Sequence, residues 1–180
     1  MNSTEALLTQ LKSTVRTGWV EHGVANPESV AEHSLGTALL CLCYGTAAGV
    51  DAQRAASMAV IHDLAEAVTG DHPWRPDASP DRKHEAEGAA MATIGKQLYP
   101  SGAEESLLRE LFDEYTKARS AEALFVRDMN LIDMALQAAR YKSCDSGADL
   151  SEFIDSSRVR LGTPFGVALF RMFFEAPKTG

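Results

Sequence analysis

Three ionisable side chains stand close together in one apolar stretch of the sequence, "VIHDLAEAVTGD", which covers residues 60–71. His62 and Asp63 are adjacent, and Glu66 follows one helical turn after His62. Buried imidazoles and carboxylates are unfavourable unless they are paired or bind a metal. An adjacent His–Asp pair can supply one nitrogen and one oxygen ligand to a divalent cation. The stretch therefore predicts a metal site with a further carboxylate beside it.

A metal ion needs more ligands than this pair provides, and two other segments offer them. His33 lies in "SVAEHSLG", one turn into a helix that otherwise carries Ala, Leu and Cys. The late segment "FVRDMNLIDMALQAARY" carries Asp128, Asn130 and Asp133 among apolar residues. Asn130 and Asp133 share one face of a helix, whereas Asp128 points roughly the other way. A lone buried histidine is more often a hydrogen-bonded core residue than a ligand, so the prediction depends on the combination.

The elements that must position these residues are predicted to be helices. Ser29 and Glu32 have the capping-box spacing that begins a long helix to about Ala48, and Asp51 caps the next helix, to about Val68. No stretch has the alternation that is typical of strands. The sequence therefore predicts one all-α domain over residues 1–180, with a core at about 5–145 and C-terminal helices at 150–175. Other helices are expected at 4–15, 81–98, 103–118, 121–141, 150–161 and 164–174, with loops at 18–29 and 70–80.

Composition narrows the class of protein. The chain has 180 residues, 45% hydrophobic residues and a formal net charge of −8, and this charge argues against duplex nucleic acid as a partner. A small anionic substrate is compatible with that charge, because a metal can hold a phosphate locally. The three cysteines form no CxxC pair, and no apolar run reaches membrane-spanning length. We therefore expect a cytoplasmic protein that is not embedded in a membrane.

The order of His33, then His62–Asp63, then a polar residue in a late helix resembles the metal-binding pattern of the HD-domain phosphohydrolases. Three motifs, "RTGWV", "PESVAEHS" and "HDLAEAVTGD", are similar to those of the 5'-deoxynucleotidase branch, which includes the HD-domain-containing protein 2 group. The similarity covers about residues 5–145. It implies a compact helical HD domain, often a homodimer, that binds one divalent metal ion. The implied substrate is a nucleoside 5'-monophosphate, either a 2'-deoxynucleotide or a related modified nucleotide.

The resemblance also implies which residues bind the metal and which residue activates the attacking water. His33, His62 and Asp63 match three metal ligands, and two neutral imidazoles with a carboxylate suit cobalt or manganese, with magnesium as a further option. Glu66 matches the residue that activates the attacking water, and one turn from His62 it can reach the solvent side of the metal.

Three further residues match the substrate-binding positions of the family. Arg16 matches an arginine whose planar fork can hold a phosphate. Trp19 matches a tryptophan that offers an apolar wall to the sugar, where discrimination against ribose would be steric. Asp71, which closes the Thr-Gly-Asp turn, matches a catalytic-site acid that contacts the sugar or the arginine.

The sequence departs from the family pattern at the fourth ligand, where the family has Asp and this chain has Asn130. An amide oxygen can coordinate a metal, but it brings no negative charge. Three outcomes follow: a weaker site through Asn130, a substitute ligand in Asp133, or a member without phosphatase activity. The first is favoured, because Glu66 and Arg16 are still present.

Two other functions fit the same scaffold. A di-iron oxygenase would need a second metal, for which His84 is the strongest additional histidine, with His72, Glu85 and Glu87 nearby in sequence. The plainer interpretation of that segment is a solvated helix start. A non-catalytic nucleotide-binding protein is the other alternative. Asn130 suggests it, because this residue replaces the charged fourth ligand of the family pattern.

Overall fold

Helices joined by short connections form the backbone of the described residues, which are 3–73, 80–99, 105–144 and 148–175 of a computed structural model. In chain order the helices are α1 Ser3–Ser13, α2 Thr17–Glu21, α3 Val30–Ala48, α4 Ala52–Ile61, α5 Glu66–Thr69, α6 Pro80–Leu98, α7 Glu105–Lys117, α8 Ala121–Ser143, α9 Ser151–Arg160 and α10 Pro164–Phe174. No strand occurs within those ranges; Val15 and Ser29 form an isolated antiparallel bridge. The predicted all-α class is confirmed.

The predicted caps determine where α3 and α4 begin. The Ser29 hydroxyl accepts a hydrogen bond from the Glu32 backbone N–H, while the Glu32 carboxylate accepts one from the Ser29 N–H at 2.7 Å. Asp51 accepts from two N–H groups in the first turn of α4. Gly49 ends α3 in the left-handed conformation, with φ of 78°. The local sequence therefore sets the start of both helices that precede the His–Asp pair.

Two local predictions differ from the structure. The helix predicted through residues 62–66 is interrupted, because α4 ends at Ile61 and α5 begins at Glu66. The intervening residues form tight turns, with the Leu64 N–H donating to Ile61 O and the Glu66 N–H donating to Asp63 O. The loop predicted at 18–29 contains most of the short helix α2. Residues 74–79 of the predicted loop and residues 103–104 of the predicted helix lie outside the described residues.

Helix α8 runs through the centre of the packing and contacts α3, α4, α7, α9 and α10. Its apolar face repeats at helical spacing, with Phe125, Met129 and Ile132 at most 2% exposed. Each of these side chains contributes roughly 1.5–3 kcal/mol through burial. This face packs on Met58 of α4 and on α3, and so fixes the two helices that carry or precede His33 and His62.

Asp128 ties α8 to the connection between α9 and α10. Its buried carboxylate accepts hydrogen bonds from the Gly162 and Thr163 N–H groups at 2.8 and 2.9 Å and from the Thr163 hydroxyl. A Cβ at Gly166 would lie 2.1 Å from Asp128 Oδ2, so only glycine leaves room for this contact. Asp128 therefore has a structural role away from Asn130, as the helical spacing predicted. No helix in the described ranges is long and apolar enough to span a membrane.

Candidate metal centre

The donor atoms of His33, His62 and Asp63 converge on one point. His33 comes from α3, and the other two follow directly after α4. Asp63 Oδ2 lies 3.7 Å from His33 Nε2 and 3.1 Å from His62 Nε2. Two ligands of one ion at metal–ligand distances of about 2.1 Å are separated by roughly 3–3.4 Å. The distance between His62 and Asp63 fits two ligands of one ion, and the distance between His33 and Asp63 is slightly longer. All three donor atoms lie within 4.8 Å of one another, so they form a candidate site for a single divalent ion.

The hydrogen-bond pattern of the imidazoles leaves one nitrogen of each ring for a metal. His33 Nε2 and His62 Nε2 are buried and lack a hydrogen-bond partner in the described part of the chain. The opposite nitrogens are held, since His33 Nδ1 lies 2.7 Å from Asp133 Oδ2 and His62 Nδ1 lies 2.6 Å from Ala59 O. An Nδ1–H that donates to an oxygen leaves Nε2 with its lone pair. These residues fit a bound divalent ion.

The surroundings favour a neutral His33 and an ionised Asp63. Burial lowers the pKa of His33 well below its ordinary value, and Arg16 and His62 lower it further, so this imidazole is neutral. Burial alone would raise the pKa of Asp63, but His62, His33 and Arg16 lower it below its usual range. A neutral imidazole and an ionised carboxylate are both competent ligands. At His62 burial lowers the pKa, but Asp63 and the Ala59 carbonyl raise it above its ordinary value, so a metal has to displace a proton there.

Glu66 begins α5 beside these ligands and is 3% exposed. Within the described ranges, its Oε2 atom is buried without a hydrogen-bond partner. Burial raises the pKa of Glu66 to about 10, with help from Asp63 and Asp71, although Lys83 and Arg16 lower it. The metal-free protein therefore keeps a proton on this carboxyl at neutral pH. A nearby divalent cation favours the ionised form instead, because it offsets the repulsion from the other carboxylates.

Arg16 joins the centre from the residue before α2. Its Nη1 lies 3.5 Å from Asp63 Oδ2, and its Nε lies 3.7 Å from Asp71 Oδ1. Asp71 also accepts a hydrogen bond from the Thr17 N–H at 2.7 Å, and the Thr17 hydroxyl donates to Asp71 O. The turn after α5 and the start of α2 are therefore held together. Two of the predicted substrate-binding residues lie beside the predicted metal ligands.

Trp19 is 1% exposed and packs within the protein. Its ring centroid lies 5.4 Å from that of Tyr141 and 4.3 Å from that of Phe153, and its Nε1–H donates to Glu28 Oε1 at 2.9 Å. This environment is typical of a core aromatic residue. The predicted contact with a sugar stays a prediction.

Asn130 and Asp133 occupy different sides of the centre. The Asn130 amide donates to the Tyr115 hydroxyl at 3.1 Å, and the Tyr115 ring packs edge-on against His62 with centroids 5.3 Å apart. Asp133 instead binds the outer nitrogen of His33, where burial raises the pKa of its carboxyl to about 7. That position suits an acceptor that orients His33 better than it suits a ligand. Ligation by either residue stays a prediction.

The groups of His, Cys, Asp and Glu that could hold a metal in the described residues do not include His72 or His84. They are the set His33, His62 and Asp63 and the set Glu28, His33 and Asp133. Both sets use His33, so the second is an extension of the same centre. The exposed side chains of His72 and His84 match the solvated interpretation of their segment.

Sequence reasoning did not identify Lys83, Tyr115 or Glu28 as parts of the centre. Lys83 Nζ lies 3.8 Å from Glu66 Oε1, and Tyr115 bridges Asn130 and His62 as described above. All three join the centre through contacts between residues far apart in the chain. Glu28 does lie in the motif "PESVAEHS", which was the one signal that could have found it.

Comparison with known proteins gives the family. The family model described as "HD domain" matches residues 8–165. The chain is 38% identical over 151 residues to "5'-deoxynucleotidase hdd1" of Schizosaccharomyces pombe, covering 81% of this chain and 75% of that protein. It is 34% identical over 159 residues to "5'-deoxynucleotidase HDDC2" of Homo sapiens, covering 88% and 76%. Among solved structures, the PH0347 protein from Pyrococcus horikoshii is 31% identical over 94% of both chains, with a TM-score of 0.70.

The fold and the centre define a helical protein whose candidate metal-binding residues are a histidine on one helix and a His–Asp pair after the next. The chain belongs to the HD domain family. The predicted resemblance to the 5'-deoxynucleotidase branch is confirmed by the names of these relatives.

Proposed function

We propose that this protein is a metal-dependent phosphohydrolase that removes phosphate from nucleoside 5'-monophosphates, with 2'-deoxynucleotides or a related modified nucleotide as substrates. One observation carries the proposal: two buried imidazole nitrogens, which lack a hydrogen-bond partner among the described residues, converge with a carboxylate oxygen beside the buried Glu66. The centre belongs to a chain whose curated relatives are named 5'-deoxynucleotidases. A net charge of −8 argues against duplex nucleic acid as the substrate.

The proposed ligands are His33, His62, Asp63 and Asn130, with Asp133 as the substitute for Asn130. The ion is cobalt, manganese or a similar transition metal, with magnesium as a further option, because imidazole and carboxylate donors suit such ions. A bound ion supplies Lewis acidity to a phosphoryl oxygen of the substrate. The donor set and the absence of other partners for the two Nε2 atoms support this assignment in the described residues.

Glu66 and Arg16 carry the proposed chemistry of the protein itself. Glu66 Oε2 accepts the proton of the attacking water as the new P–O bond forms and the P–O5' bond breaks, and the leaving 5'-oxygen takes a proton from the protonated Glu66 or from solvent water. Arg16 donates hydrogen bonds to the phosphate, and Asp71 holds the guanidinium in place at a distance of 3.7 Å. Asp71 reaches the sugar or supports Arg16, and Trp19 forms part of the wall beside the sugar.

The test is phosphate release from a panel of deoxy- and ribonucleoside 5'-monophosphates. The protein is treated with EDTA and then reloaded with cobalt, manganese, magnesium or iron. We expect release that depends on added metal and favours the 2'-deoxy substrates. His62→Ala should remove both metal binding and turnover, whereas His84→Ala, a change at an exposed histidine, should remove neither. Activity that survives in His62→Ala contradicts the proposal.

Asn130 favours one second candidate, a protein that binds nucleotides without hydrolysing them. The amide removes one negative charge from the site that the family pattern fills with Asp. In that case calorimetry would detect nucleotide binding while every metal leaves the phosphate intact. An iron-dependent oxygenase would appear instead as oxygen consumption by iron-loaded protein, and no second metal-capable group near His84 supports it in the described residues.

We also infer a cytoplasmic homodimer. Cys41, Cys43 and Cys144 are free thiols, as is usual in a reducing compartment. Leu35, Leu39 and Leu42 form an exposed apolar row on α3, which supports association with a second copy.

A further inference from the structure

Lys83 reaches from the second helical turn of α6 to the edge of the metal centre. Its Nζ lies 3.8 Å from Glu66 Oε1 and 3.4 Å from Glu87 Oε1, and it donates to His72 O at 3.1 Å. The contact with Glu87 is an ordinary pair one helical turn apart, which a solvated helix would also show. The other two contacts join α6 to α5 and to the turn that follows α5. Lys83 therefore contacts two neighbouring segments of the chain as well as its own helix.

The contact makes the two oxygens of Glu66 different. Oε1 faces the ammonium group of Lys83, whereas Oε2 is buried and has no hydrogen-bond partner among the described residues. A carboxylate that is free to rotate would exchange its two oxygens and would lose orientation each time. When Lys83 holds Oε1, the direction of Oε2 is fixed as well. Oε2 is then the oxygen that can contact water or substrate.

The charges facing this pair explain why a cation is needed there. Asp63, Asp71 and Glu66 form a cluster of carboxylates, and the cations that act on Glu66 are Lys83 and Arg16. Arg16 is engaged by Asp63 and Asp71 on the ligand side. Burial would lower the pKa of Lys83, but Glu66, Glu87 and Asp63 raise it above its ordinary value, so the ammonium is charged at neutral pH.

We propose that Lys83 is a positioning residue for hydrolysis: its ammonium group holds Glu66 Oε1 and the carbonyl of His72, so that Glu66 Oε2 is directed into the metal centre. This inference rests on the proposed function of Glu66 as the group that accepts the proton of the attacking water. Lys83 acts through Glu66 and does not itself contact the phosphate.

The kinetic test uses the metal-loaded protein and compares Lys83→Met, Lys83→Arg and Glu66→Gln with the double variant. Lys83→Met should lower kcat roughly 10- to 100-fold and leave KM within about twofold, because it removes orientation of a general base and not substrate binding. Lys83→Arg, which keeps the cation, should recover part of kcat. In the Glu66→Gln background, Lys83→Met should have no further effect, as expected for two residues that act as a unit.

Lys96→Met is the matched control, since Lys96 is an exposed lysine near the other end of α6. It should change neither kinetic constant. A raised KM with unchanged kcat in Lys83→Met, or a full effect of that change in the Glu66→Gln background, means that Lys83 binds the phosphate directly and overturns the inference. Unchanged kinetics of Lys83→Met in an active protein overturn it while leaving the proposed function intact.

A crystal structure of metal-loaded Lys83→Met tests whether Lys83 positions Glu66 even if the protein hydrolyses no nucleotide in the panel. The expected result is a Glu66 carboxylate that has rotated or is spread over two conformers, while His33, His62 and Asp63 keep their positions. A Glu66 side chain in the same single conformation as in the unchanged protein shows that Lys83 does not position it.

Discussion

Asn130 occupies the position where the family pattern has a charged metal ligand, and it does so without charge. Its amide is held by the Tyr115 hydroxyl at 3.1 Å, next to the His62 ring. A neutral oxygen donor binds a divalent cation less strongly than a carboxylate does, since Coulomb attraction is large in a buried site. With Asn130 as the proposed fourth ligand, we expect the identity of this side chain to set the metal affinity of the centre.

Asn130→Asp should raise the affinity for cobalt or manganese about tenfold or more, which corresponds to at least about 1.4 kcal/mol of binding free energy. Isothermal titration calorimetry of EDTA-treated protein measures this change directly. Asp128→Asn is unsuitable as a control because that carboxylate supports the α9–α10 connection. Asp113→Asn, at an exposed position on α7, serves instead. Equal affinities of the Asn130→Asp and unchanged proteins would mean that residue 130 is not a ligand.

Glu28 is a half-buried acid whose ionisation destabilises the folded protein. Burial raises the pKa of Glu28 to about 7 from an ordinary value of 4.5, although the Trp19 indole and Arg16 lower it. Between these two pH values the unfolded chain has released the proton while the folded chain keeps it. The free energy of unfolding therefore falls as the pH rises from about 4.5 to about 7, and the loss stays constant above that.

Glu28→Gln mimics the protonated carboxyl and can keep the hydrogen bond from Trp19. We expect this variant to gain stability relative to the unchanged protein as the pH rises from 4.5 to 7, reaching about 1–3 kcal/mol above pH 7. Urea denaturation of the metal-free proteins at pH 5, 6, 7 and 8 measures the difference. Glu85→Gln, at an exposed position, should show no such pH dependence. A constant difference between Glu28→Gln and the unchanged protein at all four pH values would contradict the prediction.

At the residue level, the sequence identified the groups with the strongest chemistry. His33, His62 and Asp63 were predicted to meet, and the structure brings their donor atoms together. Lys83 and Tyr115 were not identified, because neither carries a local pattern that distinguishes it from a solvated lysine or a core aromatic. Their roles depend on contacts with Glu66 and Asn130, which only the packed helices create.

At the level of elements, the sequence predicted the caps and the apolar periods but not the break between α4 and α5. Val60, Ile61 and Leu64 continue a helical pattern, so the pattern gave no sign that the helix ends at Ile61. The turns at residues 62–65 bring Asp63 Oδ2 within 3.1 Å of His62 Nε2. A break of this kind is set by tertiary packing, which the periodicity of a single sequence does not report.

Gly36 is the point where α3 and α8 approach each other around Asp133. A Cβ at Gly36 would lie 2.1 Å from Asp133 Oδ1, so the carboxylate could not keep its place against α3. Asp133 in turn fixes His33 through the 2.7 Å contact with Nδ1. A single methyl group on α3 should therefore disturb a metal ligand that is one turn away.

Gly36→Ala should lower metal affinity about 10- to 100-fold, which is the usual effect of losing a partner that orients a ligand. It should also destabilise the fold, although alanine favours helices. Gly88→Ala on α6 is the matched control, because a Cβ there meets nothing within 4 Å. That variant should keep its metal affinity and gain up to about 1 kcal/mol. Metal titration and urea denaturation of both variants make the comparison, and equal metal affinities would show that Asp133 does not orient His33.

At the scale of the whole molecule, α3 has one buried face and one exposed apolar face. One face buries Val30, His33 and Thr37 against α4 and α8. The other leaves Leu35, Leu39 and Leu42 exposed by 70%, 58% and 53%. Contiguous exposed leucines at helical spacing are characteristic of a protein interface. Because a twofold dimer uses the same patch on both copies, two such rows can cover each other.

Leu39→Glu should convert the proposed homodimer to a monomer, because it would bury two carboxylates against apolar side chains in the centre of the shared row. Size-exclusion chromatography with light scattering on the unchanged protein and the variant gives the masses directly. Val159→Glu is the matched control, since Val159 is 80% exposed on α9 and lies on a different surface. That variant should remain a dimer. If Leu39→Glu is also a dimer, the interface lies elsewhere; if the unchanged protein has a mass near 19.4 kDa, the chain is a monomer and the leucine row has another use.

Since His33 lies on the opposite face of the same helix, metal binding by the Leu39→Glu monomer should be unchanged, which separates assembly from the chemistry of the centre.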